Sequence, residues 1–204
     1  LQEKVGQRIA TLLGAEAAYV TASASAGMVL TAAACMTGND PHKVKQLPDP
    51  TGLRNEVIIQ KSHRIDYDQA IRVAGARLVV IAEDGAPPVA AMQAALSPNT
   101  AAIFYLARVM DQPLSIPFEQ VVTMAHAAGV PVIVDAASEC PPLSTLTRFT
   151  RAGADLVIFS GGKSIMGPQS TGLIIGRKDL IAACALNGAP FAAVGRPMKV
   201  SREE

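Results

Sequence analysis

Short apolar runs alternate with amphipathic or alanine-rich segments along almost the whole chain. The apolar runs are rich in β-branched residues and read as continuous stretches, which is typical of strands covered on both faces of a sheet. Seven strands are predicted, at residues 18–22, 56–60, 77–82, 100–107, 130–136, 155–160 and 171–176. The segments between them predict helices at residues 2–13, 25–37, 66–74, 87–96, 117–128, 143–152 and 178–186.

Glycines mark the ends of several predicted helices. Gly14, Gly75, Gly129 and Gly153 each lie between a helical segment and the next strand, where a C-terminal cap favours glycine. The alternation predicts an α/β fold, a three-layer sandwich with a mostly parallel seven-stranded sheet. Residues 38–52 depart from it, because they are polar, contain three prolines and show no clear period. They are predicted to form a long surface loop.

Composition excludes several classes of protein. With 204 residues, 50% of them hydrophobic and 17% charged, the chain is long enough for one domain with a substantial core. The net charge of +1 without a basic cluster argues against a nucleic-acid partner. The apolar runs are too short to span a membrane, and no secretory signal is recognised. Cys35, Cys140 and Cys184 form neither a disulfide framework nor a metal-ligand pattern, so we expect no metal site and a cytoplasmic location.

Two neighbouring strands end in side chains that together indicate a cofactor site. Asp135 ends one apolar run, and Lys163 follows the next on the small-residue turn that begins at Ser160. Taken singly, Asp135 could be a helix N-cap and Lys163 a surface lysine. Because ligands gather at the carboxyl ends of parallel strands, the combination favours chemistry. Burial would lower the pKa of the amine for attack on a carbonyl, and the carboxylate would keep a pyridine nitrogen protonated, as pyridoxal 5'-phosphate requires.

Small residues after the first strand complete this site. Ser23, Ala24 and Ser25 lie at the start of the predicted helix 25–37, where hydroxyls and backbone N–H groups can bind an anion. An ordinary N-cap that binds nothing is the alternative. With Asp135 and Lys163 at neighbouring strand ends, we expect a phosphate site. The predicted cofactor-binding residues are Ser23, Ala24, Ser25, Asp135, Ala137, Ser160 and Lys163.

Further candidates follow other strands of the predicted sheet. His63 could stack on a cofactor ring and assist proton transfer, or it could be a loop histidine without a role. Arg64, Arg108 and Arg196 could each bind a carboxylate through paired hydrogen bonds, although each singly also fits a solvated surface. Gln112 completes the candidates for substrate binding.

The segments around Lys163 resemble a known family. Residues 153–163 (GADLVIFSGGK) and 167–176 (GPQSTGLIIG) carry the resemblance, with weaker support from residues 195–200 and 20–27. On these motifs the chain resembles fold-type I pyridoxal-phosphate enzymes of the L-seryl-tRNA(Sec) selenium transferase family. Within that family it is most similar to the branch of D-glucosaminate-6-phosphate ammonia-lyase-like enzymes.

The resemblance implies specific roles. Lys163 would form a Schiff base with the cofactor, Asp135 would contact the ring nitrogen, and His63 would stack over the ring. Residues 1–195 would form the cofactor-binding large domain, and residues 196–204 would begin the connection to a small C-terminal domain absent from this chain. Active sites of this fold lie between two subunits, so a homodimer or a larger homo-oligomer is expected.

The expected activity is that of a pyridoxal-phosphate-dependent lyase. It would catalyse α,β-elimination, with loss of water and ammonia, from a β-hydroxy or sugar amino acid. The first alternative is an L-seryl-tRNA(Sec) selenium transferase, against which the lack of a basic composition argues. The second is a non-catalytic α/β scaffold that has kept the fold and lost the chemistry.

Overall fold

A single sheet of seven strands organises the computed structural model, which describes residues 1–82 and 88–201. The strands are β1 (Ala17–Thr21), β2 (Glu56–Gln60), β3 (Arg77–Ile81), β4 (Thr100–Leu106), β5 (Val132–Asp135), β6 (Leu156–Ser160) and β7 (Gly172–Gly176). The helices in the described ranges are α1 (Gln2–Leu13), α2 (Ala24–Thr37), α3 (Pro41–Gln46), α4 (Gln69–Val73), α5 (Pro88–Ala95), α6 (Phe118–Ala127), α7 (Thr145–Arg151) and α8 (Lys178–Asn187).

Strand direction determines which loops share an edge of the sheet. The order is β1-β7-β6-β5-β4-β2-β3, and every pairing from β6 to β3 is parallel. Strand β7 runs antiparallel to both β6 and β1, so β1 has the same direction as β6. The carboxyl ends of β1, β2, β4, β5 and β6 therefore meet at one edge.

Alternating side chains of the central strands pack on opposite faces of the sheet. Ile59, Phe104 and Ile158 contribute to the core beneath α2, α4 and α8, whereas Ile58 and Tyr105 contribute to the core beneath α6 and α7. Such apolar residues on both faces are what a sheet between two helical layers requires. The predicted three-layer α/β sandwich with a mostly parallel seven-stranded sheet is confirmed.

Helix α2 lies unusually close to the sheet. Twelve of its 14 residues are buried, and its sequence is dominated by alanine and other small residues. A Cβ added at Gly27 would lie 2.9 Å from Cγ2 of Ile158 on β6. The small side chains thus let α2 pack closely against β6, with its N-terminus at the edge where the strands end.

The predicted loop at residues 38–52 is wrong in one part, because it contains helix α3. Asp40 caps this helix by accepting hydrogen bonds from the backbone N–H groups of His42 and Lys43, and Pro41 occupies its first turn. The helix has only six residues and buries only Val44, so its sequence contains no helical period of apolar residues.

Other boundaries differ by one or two residues at most element ends. The predicted helix at residues 66–74 begins as a 3-10 turn, Asp66–Asp68, before α4. Residue 87 of the predicted helix 87–96 and residues 202–204 lie outside the described residues. The four predicted glycine caps all have positive φ, with 61° at Gly14 and 100° at Gly153. Among the described residues, no helix combines the length and apolarity needed to cross a bilayer.

Candidate active site

A cavity of about 510 Å³ lies at the edge where the parallel strands end. It brings together residues that follow β1, β2, β4, β5 and β6. Its lining residues are Ser23, Ala24, Ser25, Met28, Ile65, Asp66, Tyr67, Leu106, Arg108, Asp135, Ala137, Ser138, Ser160 and Lys163. All seven residues predicted from the sequence to bind the cofactor are among them.

The N-terminus of α2 forms one wall of this cavity. Ser23 has an extended backbone and caps the helix, with its Oγ accepting a hydrogen bond from the N–H of Ala26 at 3.0 Å. The hydroxyl of Thr21 donates to the carbonyl oxygen of Ser23 at 2.7 Å and so orients the turn. The cap and the anion site are compatible, because the first N–H groups of a helix, such as those of Ala24 and Ser25, have no partner within the helix.

Asp135 supplies a buried carboxylate on another wall. The residue is only 6% exposed, and its Oδ1 accepts a hydrogen bond from the N–H of Ala137 at 2.9 Å. Burial raises the pKa of Asp135, while the Ala137 N–H and the positive charge of Lys163 act in the opposite direction. A buried carboxylate of this kind gains from a cationic partner placed in the cavity.

Lys163 lines the same cavity, three residues after the end of β6. The expectation that this amine is buried is wrong, because the residue is exposed. The chain leaves β6 through Gly161 and Gly162, which pack closely against the segment before β7. A Cβ at Gly161 would lie 2.2 Å from Oγ1 of Thr171. At Gly162 a Cβ would lie 2.6 Å from the carbonyl oxygen of Gln169, so the turn must consist of glycines to bring Lys163 to this place.

Gly172 on β7 allows the strand to approach the Ser23 turn. A Cβ there would lie 2.4 Å from the carbonyl carbon of Ser23 and 2.6 Å from Oγ1 of Thr21. We expect Gly172→Ala to lower the free energy of unfolding by about 1–3 kcal/mol through overpacking and to weaken cofactor binding by displacing Ser23. Urea denaturation and spectroscopic titration with pyridoxal 5'-phosphate measure the two effects.

Gly14→Ala is the matched control for that substitution. Gly14 has a φ of 61° and nothing within 4 Å of an added Cβ, so its replacement costs only the backbone strain of about 1 kcal/mol. Equal destabilisation by the two variants, with unchanged cofactor affinity in both, would contradict the prediction.

The structure does not bring His63 into the cavity, which corrects the expectation that it stacks on the cofactor ring. The residue is 0% exposed. Its Nδ1 accepts a hydrogen bond from the N–H of Leu106 at 3.0 Å, and its Nε2 lies 2.7 Å from Oγ of Ser115. Its ring also packs edge-on against Tyr105, with centroids 4.5 Å apart. The buried N–H of Leu106 requires an acceptor, and this turns the imidazole towards the end of β4.

Burial lowers the pKa of His63 to about 4. An unfolded histidine has a pKa of about 6.5, so the unfolded chain takes up a proton at higher pH than the folded one. The neutral ring therefore contributes stability above about pH 6.5 that is lost as the pH falls through about 4, up to about 3 kcal/mol. We expect urea denaturation to show a larger loss between about pH 7.5 and pH 4.5 in the wild type than in His63→Asn, which cannot titrate. Equal losses would contradict this prediction.

Of the residues predicted to bind substrate, one lines the cavity. Arg108 does so from a 3-10 turn, Ala107–Val109, that follows β4. Arg64 forms an ion pair with Asp68 and lines a neighbouring cavity instead. Gln112 and Arg196 are exposed and are not among the residues that line the cavity of Lys163.

Sequence reasoning missed several residues of the cavity wall. Ile65, Asp66 and Tyr67 lie five to seven residues beyond the end of β2, further from the strand than the predicted site residues His63 and Arg64. Leu106 and Met28 lie inside the predicted strand 100–107 and the predicted helix 25–37 and were not candidates. A signal for the first group was available, because the 3-10 turn at Asp66–Asp68 still belongs to the connection that leaves a parallel strand.

The chemistry of these groups fits a phosphorylated aromatic aldehyde such as pyridoxal 5'-phosphate. The helix N-terminus at Ala24 and Ser25 suits the phosphate, the buried carboxylate of Asp135 suits a protonated ring nitrogen, and the amine of Lys163 suits the aldehyde. Within residues 1–82 and 88–201, no group of three or more His, Cys, Asp or Glu side chains could hold a metal ion.

Comparison with known proteins identifies the family of the chain. Residues 57–195 match the aminotransferase class-V family. The chain belongs to this family. It is 37% identical to a D-glucosaminate-6-phosphate ammonia lyase of Salmonella typhimurium, over 100% of this chain and 54% of that protein. The solved structure of a D-glucosaminate-6-phosphate ammonia-lyase matches with a TM-score of 0.88 and 34% identity, over 99% of this chain and 54% of that one.

Two other relatives have different names. A 5'-C-glycyluridine monooxygenase-decarboxylase of Streptomyces is also 37% identical, over 100% of this chain and 51% of that protein. An L-seryl-tRNA(Sec) selenium transferase of Geobacter metallireducens is 28% identical, over 98% of this chain and 46% of that protein, and is a more distant relation. The chain spans about half the length of the curated relatives that it matches.

Proposed function

We propose that the whole protein is a pyridoxal-phosphate-dependent lyase that catalyses α,β-elimination from a β-hydroxy or sugar amino acid. The observation that carries this proposal is that Lys163, Asp135 and the N-terminus of α2 line the same cavity. The identity of 37% to an ammonia lyase over the full length of the chain supports the same reaction class. Net, the substrate loses the α-amino group as ammonia, and its carbon skeleton leaves as a 3-deoxy-2-keto acid.

Pyridoxal 5'-phosphate supplies an electron sink for the charge that develops at Cα of an amino acid. Lys163 would hold the cofactor through its amine, and the same amine would serve as the base for the proton on Cα of the substrate. The carboxylate of Asp135 maintains the positive charge of the ring nitrogen, which deepens that sink. The first N–H groups of α2 and the hydroxyl of Ser160 bind the phosphate.

Arg108 is the residue we assign to the substrate carboxylate. It is the arginine whose side chain lines the cavity in the described part of the chain, and its planar fork suits two parallel hydrogen bonds to a carboxylate. The hydroxyl of Ser138 and the carboxylate of Asp66, both on the cavity wall, suit the hydroxyl groups of a β-hydroxy or sugar substrate.

A second candidate is an oxygen-dependent decarboxylation. It is favoured by the monooxygenase-decarboxylase, which is as similar to this chain as the ammonia lyase. The same lysine and carboxylate would serve it, so the two reactions differ in what leaves the substrate: CO₂ with consumption of O₂ in the one case, ammonia without O₂ in the other.

The test uses the full-length protein. Bound cofactor absorbs near the edge of the visible range, and borohydride should fix it on Lys163, as mass analysis of peptides detects. Candidate β-hydroxy and phosphorylated sugar amino acids are then incubated with and without O₂. Release of ammonia and keto acid in both conditions supports the lyase, and O₂-dependent release of CO₂ supports the second candidate. Turnover of seryl-tRNA would point to the transferase, and absence of cofactor absorbance to a non-catalytic scaffold.

We also propose that the protein is a cytoplasmic homodimer or larger homo-oligomer. Two exposed apolar side chains support an assembly: Tyr67 on the cavity wall is 67% exposed, and Met166, three residues after Lys163 in the sequence, is 87% exposed. Light scattering coupled to size-exclusion chromatography measures the mass in solution, and a monomer would contradict the proposal.

A further inference from the structure

His63 links both ends of the loop that carries Arg108. The loop, residues 107–114, leaves β4 after Leu106 and ends at Ser115 and Ile116, just before α6. The imidazole contacts the loop start through Leu106 N–H and the loop end through the Ser115 hydroxyl, across 43 and 52 residues of sequence. One buried side chain thus contacts both ends of the loop, the backbone at Leu106 and the side chain at Ser115.

The hydrogen bonds determine the tautomer of His63. Because Nδ1 accepts from a backbone N–H, it carries no proton, and the neutral ring holds its proton on Nε2. Nε2–H therefore donates to Oγ of Ser115 at 2.7 Å. Both ring nitrogens are used, so the side chain has no nitrogen left for a substrate.

Two further side chains hold the same loop end. Oε1 of Gln60 accepts a hydrogen bond from the N–H of Ile116 at 2.8 Å, and the hydroxyl of Tyr105 donates to the carbonyl oxygen of Ile116 at 3.2 Å. Gln60 ends β2 and Tyr105 lies on β4, so the return point of the loop is attached to two strands of the sheet. Leu106 and Arg108, at the start of the loop, both line the cavity.

We propose that His63 is a positioning residue, which holds the 107–114 loop at both ends and thereby places the guanidinium of Arg108 for the substrate carboxylate. This inference rests on the proposed function for the role of Arg108. It assigns His63 no contact with the cofactor. Its effect on the reaction passes through the loop, and a displacement of about 1 Å at a positioned group is enough to reduce turnover strongly.

The experiment compares substitutions of His63 in the full-length holoenzyme. His63→Phe keeps an aromatic ring but removes both hydrogen bonds, whereas Oδ1 in His63→Asn occupies the place of Nδ1 and can still accept from Leu106. We expect His63→Phe to raise KM for the amino acid by ~10-fold or more with the cofactor absorbance unchanged, and His63→Asn to recover part of this loss. If His63→Phe fails to fold, Ser115→Ala provides the test. It removes one of the two hydrogen bonds at a half-buried position and should also raise KM. His42→Gln is the matched control, because His42 is an exposed histidine on α3, and it should leave KM unchanged.

A double substitution tests the route through Arg108. In an Arg108→Ala background, His63→Phe should raise KM by only about a further 2-fold or less, because the guanidinium that His63 positions is gone. If the two effects multiply, the proposal is wrong. The proposal is also overturned if His63→Phe is the mildest variant while His63→Asn shifts the cofactor absorbance, since that order indicates stacking on the ring.

Hydrogen–deuterium exchange provides a readout that does not need turnover. Peptides covering residues 106–116 should exchange faster in His63→Phe than in the wild type, while peptides of α8 should not change. Faster exchange with an unchanged KM would overturn the proposal, because loosening the loop would then have no effect on substrate binding by Arg108. If the wild type neither binds pyridoxal 5'-phosphate nor converts an amino acid, the proposed function fails, whereas the exchange result still decides whether His63 holds the loop.

Discussion

Replacement of Lys163 by alanine is expected to lower turnover by at least ~10³-fold, because it removes both the group that attaches the cofactor and the base at Cα. Lys163 lines the cavity from a glycine turn, and the described chain places no other lysine on this wall. Borohydride treatment should then leave no cofactor mass on the peptide that contains residue 163. Lys163→Arg should fail equally, since a guanidinium stays protonated and cannot attack an aldehyde.

Lys45→Ala is the control for general effects of removing a lysine. Lys45 is exposed on α3, outside the cavity, and its loss should change neither turnover nor the borohydride product. Because Lys163 is exposed, its replacement should leave the free energy of unfolding of the cofactor-free protein within about 0.5 kcal/mol of the wild type. Retention of a reducible cofactor linkage in Lys163→Ala would show that another amine carries it and would contradict the assignment.

Asp135→Asn is expected to lower turnover by about 10²–10³-fold while the cofactor-free protein stays as stable as the wild type or becomes more stable. An amide cannot maintain a positive charge on a ring nitrogen, which explains the loss of turnover. The stability follows from the pKa of Asp135, which burial raises. A carboxyl whose folded pKa exceeds its unfolded value destabilises the fold at neutral pH, so its neutral amide removes that cost.

Asparagine also conserves the local hydrogen bond. Its Oδ1 can accept from the N–H of Ala137, as the carboxylate does at 2.9 Å. Turnover with a saturating cofactor concentration and urea denaturation without cofactor measure the two effects, with Asp49→Asn, an exposed position, as control. A fall in stability of more than about 1 kcal/mol with normal turnover would mean that Asp135 serves the fold and not the reaction.

The elements of the fold were predictable because their signals are local. Continuous β-branched runs predicted all seven strands, and glycine at Gly14, Gly75, Gly129 and Gly153 predicted the helix ends. Helix α3 was missed because a six-residue helix with one buried side chain leaves no apolar period.

Those parts of the candidate site that directly follow a strand were predictable from the sequence. Asp135, Ser160 and the residues before α2 all follow strands, and parallel strands bring their carboxyl ends together. The α2 N-terminus lies at this edge because β7 runs antiparallel to both β1 and β6, which gives β1 the direction of β6. Had β7 been antiparallel to only one of them, α2 would begin at the opposite edge.

The strands, the helix ends and the side chains available at the strand ends follow from local sequence, since they depend on burial and backbone preference within a few neighbouring residues. The directions in which those side chains point depend on packing between elements. His63 faces Leu106 and Ser115 because the buried N–H of Leu106 at the end of β4 needs an acceptor, and the place of Lys163 depends on the close packing of Gly161 and Gly162 against the segment before β7. Such orientations depend on partners tens of residues away, which no local pattern encodes.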